Sequence, residues 1–122
     1  MRNLRGKLLG CGRERSVWEH RENPEWAIKM SHRTHDGKSN REEYWLWHNA
    51  PENVKKWLVP VVEISDCGLY MTVFKGEAVK AKDVPKGLPA GFVDARKALN
   101  WVKVKDKVLL ADYHSYDKSC LF

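Results

Sequence analysis

Gly10-Cys11-Gly12 stands between two apolar-rich runs, and Asn23-Pro24-Glu25 then returns the chain into Trp26-Ala27-Ile28-Lys29-Met30. This punctuation leaves little room for a long helix in the first thirty residues. It predicts strands over residues 4 to 10, 15 to 21 and 26 to 30, joined by tight turns into an antiparallel meander. Glycines in such a turn also let backbone amides approach an anion closely, and a lysine on a neighbouring strand can add charge to it.

Downstream, Ser39-Asn40-Arg41-Glu42 has the spacing of a capping box, in which the serine oxygen accepts an orphan amide and the glutamate reaches back. A helix is expected from there through about His48. Asn49-Ala50-Pro51 should stop it, because proline lacks a donor and restricts its predecessor. Within that helix Glu43, Leu46 and Trp47 share a face. Residues 58 to 65 and 69 to 74 flank Asp66-Cys67-Gly68 as a hairpin, with Pro60 arguing for an edge or a strand start. A short helix is expected within residues 91 to 99, and a second hairpin pairs residues 101 to 104 with 108 to 111 around Lys105-Asp106-Lys107. The fold class is therefore α+β: an antiparallel five-stranded sheet, one main helix and a C-terminal β-hairpin.

A chain of 122 residues falls well short of the roughly 250 at which single cores divide, so one domain over 1–122 is expected. With 43% apolar and 31% charged residues a buried core is within reach. Trp18, Trp26, Trp45, Trp47, Trp57 and Trp101 all fall in predicted structure, where core packing is their expected use. The net charge of +6 admits nucleic acid, an acidic protein or polyphosphate as partner without choosing among them. Its densest cluster, Arg2, Arg5, Lys7, Arg13 and Arg15, coincides with the glycine turn; Lys80, Lys82 and Lys86 form a second. Cys11, Cys67 and Cys120 are odd in number and lack CxxC spacing, and no secretory or membrane-spanning apolar run is present, so a cytoplasmic setting and no membrane contact are expected. The five histidines show no ligand spacing, and no zinc is expected.

The order strand, glycine turn, strand, lysine strand, glutamate helix, hairpin resembles the small lobe of protein kinases over residues 4 to 74. The resemblance implies that Gly10, Gly12, Val17 and Ala27 line a nucleotide site. It further implies that Lys29 contacts phosphates while pairing with Glu43, and that Phe74 begins the hinge to an adenine. Glu42 is the rival partner, assigned instead to the cap. Asn100 and Asp112, separated by hairpin-like sequence, are similar to the kinase pair that holds magnesium. Asp94 lies one position further from Asn100 than the family's catalytic aspartate does, without His-Arg-Asp before it, and is the candidate base; a helix-surface carboxylate is the alternative.

Departures from the family bear directly on function. Arg15 replaces the third glycine, where it would either crowd the phosphate path or contact a phosphate. Residues 75 to 122 form at most a truncated hinge and metal-loop region, a reduced large lobe without an activation segment. The resemblance therefore implies a degenerate kinase-like protein that acts mainly by binding a partner protein, with ATP and magnesium as further ligands, in a bacterial or bacteriophage cytoplasm. A compact phosphotransferase, completed by a homodimer or partner, is the alternative. A basic nucleic-acid-binding protein, stacking bases on tryptophans, is the second.

Overall fold

The computed structural model of the chain describes residues 4–92, 97–113 and 116–121. The fold is α+β and divides into two compact units: residues 1–45 with 60–75, and residues 46–59 with 76–122.

The first unit is built on a five-stranded antiparallel sheet. Its strands are β1 (Arg5–Cys11), β2 (Arg15–His20), β3 (Trp26–Ser31), β4 (Val61–Ile64) and β5 (Tyr70–Phe74), in the spatial order β1-β2-β3-β5-β4. The expected meander is present, and β3 sits at the sheet centre with Ala27, Ile28 and Lys29 all buried. Met71 and Val73 of β5 complete this part of the core. Register slips twice along β1, between Arg5 and Leu8 and between Leu8 and Gly10, so this edge strand is irregular against β2.

Helix α1 (Lys38–Asn49) begins two residues earlier than a Ser39 cap would place it. The capping box does not form: Ser39 Oγ donates instead to Glu14 Oε2 at 2.6 Å, and Glu42 lies 3.9 Å from Lys38 Nζ. Gly37 does the starting. Its carbonyl accepts the Arg41 amide, its own amide donates to Ser31 Oγ, and its φ of 72° is one that glycine adopts freely. A Cβ there would also stand 2.7 Å from the carbonyl group of Gly68. Gly68, with φ of 76°, supplies the matching close approach in the β4–β5 turn.

The expected strand over 58 to 65 breaks at Pro60. Leu58 and Val59 belong to the second unit, where the Val59 amide donates to the Leu110 carbonyl and the Leu110 amide to that of Trp57. Proline has no amide to continue a ladder, and only the Val61–Ile64 portion pairs with β5.

In the second unit the last four residues of α1, 46–49, are followed by α2 (Glu52–Lys55), a single turn after Pro51. A three-stranded sheet has the order β6 (Glu77–Ala78), β7 (Trp101–Val104), β8 (Lys107–Leu110). The hairpin is tighter than expected, with Val104 opposite Lys107 and Lys105 at φ 58° in the turn. Residues 90–92 and 98–100 are 3-10 turns; residues 93–96, including Asp94, lie outside the described set. Leu46, Val54, Leu58, Phe92, Trp101, Leu109, Leu110, Tyr113 and Tyr116 are buried.

Of the tryptophans only Trp101 is fully buried. Three of the others carry a cation over the ring: Arg5 lies over Trp18 at 5.0 Å, Lys55 over Trp47 at 4.6 Å and Lys56 over Trp57 at 5.8 Å, while Trp45 is 41% exposed. Cys11 and Cys67 are exposed free thiols. Among the described residues, no helix is long and apolar enough to cross a membrane.

Candidate functional site: a shared carboxylate under the glycine turn

Strand parity places several of the singled-out residues together. Gly10 is opposite Val17, Val17 is opposite Lys29, and Ala27 lies two residues before Lys29, so all four occupy positions on one face of the sheet. Arg15, two residues before Val17, shares that face. Phe74, opposite Trp26, belongs to the other face, and its amide donates to the Pro60 carbonyl at 3.2 Å.

Glu43 reaches this face from α1 with only 1% of its side chain exposed. Lys29 Nζ donates to Oε1 at 2.9 Å, and Arg15 Nη2 donates to Oε2 at 2.5 Å. One carboxylate thus serves two cations, one on each oxygen. Burial alone would raise the Glu43 pKa; the charges of Lys29 and Arg15, with their hydrogen bonds, overcome it and hold the group at about 2. The site keeps its carboxylate ionised across the whole working range of a protein.

Asn40, fully buried one helical turn before Glu43, fixes the arrangement. Its Nδ2 is within reach of the carbonyls of Lys29 (3.0 Å), Gly68 (3.0 Å) and Leu69 (3.2 Å), while its Oδ1 accepts from Arg15 Nη1 at 3.1 Å. A single side chain therefore ties the helix to the lysine strand, to the β4–β5 turn and to the arginine.

The glycine turn is held from beside and beneath. The Gly12 amide donates to the Arg15 carbonyl at 2.8 Å, His32 Nε2 donates to the Gly12 carbonyl at 2.9 Å, and the His32 amide to the Glu14 carbonyl at 2.9 Å. Gly10 and Gly12 are exposed, and neither has a positive φ. A Cβ on Gly10 would meet nothing within 4 Å, and one on Gly12 only the Arg15 carbonyl at 3.7 Å. Neither the backbone geometry nor the packing of the chain itself calls for glycine at these two positions.

Comparisons of the chain with known protein families, curated proteins and solved structures find no match.

In the second unit, Asn100 and Asp112 meet at the open end of the β7–β8 hairpin. The Asn100 carbonyl accepts the amides of Ala111 (2.8 Å) and Asp112 (3.3 Å); Asn100 is buried and Asp112 half-buried. Tyr113 is buried beside them in sequence, and its hydroxyl donates to the Val59 carbonyl. Among the described residues, no group of three or more His, Cys, Asp or Glu side chains could hold a metal ion.

Two members of the cluster were not assigned their roles from sequence. The sequence pattern puts Arg15 at the motif's third position without its carboxylate, and Asn40 inside a capping box. Asn40 did leave a signal: asparagine is a poor helix former, and one placed on the same helix face as Glu43 invites a tertiary explanation.

Proposed function

We propose that the chain is a reduced, kinase-like protein that works by binding: a partner protein first, with the phosphates of ATP as a further ligand. The observation that carries this reading is the buried Lys29–Glu43 ion pair, formed between the strand and the helix that the glycine turn precedes. Open space around Gly10 and Gly12 supports it, since glycine there leaves exposed backbone for a phosphate to approach. Lys29 and the backbone exposed at the turn would hold phosphate oxygens, the Gly12 amide excepted, since it donates to the Arg15 carbonyl. Asn100 and Asp112, one amide and one carboxylate, are the proposed magnesium ligands, and magnesium would supply charge neutralisation. A cytoplasmic setting fits the exposed free thiols.

Arg15 argues for binding over phosphotransfer. In the kinase arrangement the glutamate orients the lysine alone, whereas here Glu43 also holds Arg15, which stands where a third glycine would let the turn close on phosphate. The nucleic-acid alternative is weakened in one respect: Trp18, Trp47 and Trp57 each have a cation over one ring face, which takes that face from base stacking.

Calorimetric titration with Mg-ATP, run beside Lys29→Met, tests the nucleotide part. Saturable binding that the substitution weakens at least about tenfold is expected. A folded protein with no heat of binding would remove ATP from the reading. Turnover abolished by both Lys29→Met and Asp112→Asn would replace it with a phosphotransferase.

A further inference from the structure

From Met1 to Arg13 every charged side chain is a cation: Arg2, Arg5, Lys7 and Arg13. Most of that segment is β1, an outer strand of the five-stranded sheet, and from Gly6 to Cys11 every residue of it is exposed. Leu8 and Leu9 keep 45% and 43% of their surface open. Among the described cations of the segment only Arg5 is drawn down onto the sheet, donating to Met30 Sδ at 3.3 Å and lying over Trp18. An outer strand offers one row of backbone donors and acceptors to any chain that can lie alongside. Here that row is flanked by two adjacent leucines and a lysine.

We propose that the β1 edge receives an extended acidic segment of a partner protein, which adds to the sheet as a sixth strand. Three features select this occupant. Backbone pairing supplies affinity without regard to sequence, so the side chains must supply the choice. Leu8 and Leu9 give apolar contact to an added strand. Lys7, with Arg13 beyond the turn, favours carboxylates on the incoming chain and disfavours a second copy, which would bring an equally cationic segment against it. The inference rests on the partner-binding half of the function proposed above and is independent of the nucleotide half.

The test uses the full chain and three synthetic peptides: one alternating glutamate with valine, the same peptide N-methylated throughout, and a lysine–valine counterpart. Binding is read by calorimetry and its place by hydrogen exchange of individual amides. The glutamate peptide should bind, slow the exchange of β1 amides, and weaken at least about tenfold both on N-methylation and in Lys7→Glu, while that variant gains affinity for the lysine peptide. Lys7 is exposed, so the variant keeps its fold. The proposal is overturned by absence of binding, by equal binding of the N-methylated peptide, by protection that falls outside β1, or by a salt-insensitive dimer formed through β1. The Mg-ATP titration can fail with every one of these results unchanged, so the two readings stand or fall separately.

Discussion

Glu43 gives its site a defined acid response. Its folded-state pKa, about 2, lies below the ordinary value of 4.5, so the unfolded chain takes up this proton more readily than the folded one. The stability it contributes is therefore complete above about 4.5 and is lost as pH falls from there through about 2. Urea unfolding across that window should show a slope that Glu43→Gln lacks; equal slopes would refute the pairing. At neutral pH Glu43→Gln should cost about 3–5 kcal/mol, because it leaves two cations, with side chains 13% and 8% exposed, without their carboxylate. Lys29→Met should cost less, about 1–3 kcal/mol, since Arg15 remains on Glu43. The lysine and the glutamate were legible in the sequence because each sits on an element whose period and punctuation are clear. Arg15 was not, because the partner a guanidinium takes depends on which helix the fold lays over its strand.

Among the elements, glycines separate fold from ligand. Gly37 and Gly68 have positive φ and approach each other where α1 meets the β4–β5 turn, so alanine at either should cost about 2 kcal/mol or more. Gly10→Ala should change the unfolding free energy by less than about 0.5 kcal/mol, since its Cβ enters open space. Chemical denaturation of the three variants checks this; a Gly10→Ala loss as large as that of Gly37→Ala would mean that the turn needs its glycine structurally. The meander and the first hairpin are legible because Gly, Pro and Asn mark their turns, and the second because the charged Lys105-Asp106-Lys107 parts two apolar runs. The helix start differs from the expected one: a serine with cap spacing also serves as a donor to Glu14, and local sequence does not distinguish the two uses. The one-turn α2 and two-residue β6 are too short to leave a periodic signal.

At the scale of the molecule, chain order and unit membership do not coincide. Residues 46–59 leave the first unit, join the second, and return at Pro60. Leu110 is fully buried and its backbone pairs with Trp57 and Val59, so Leu110→Ala should cost about 2–5 kcal/mol and strip exchange protection from the Val59 amide. A Val59 amide that exchanged as slowly as before would show that β8 does not secure this segment. Nothing but Pro60 hints at the excursion, because an apolar run reads alike whichever sheet receives it. That excursion also sets a timetable for synthesis. At about 5–20 residues per second, Leu110 leaves the ribosome several seconds after Val59, so Val54, Leu58 and Val59 wait uncovered while β1 to β5 can already pair. The nascent chain passes through a stage in which its sheet is complete and a sticky loop protrudes from it, the form most exposed to chaperones and proteases.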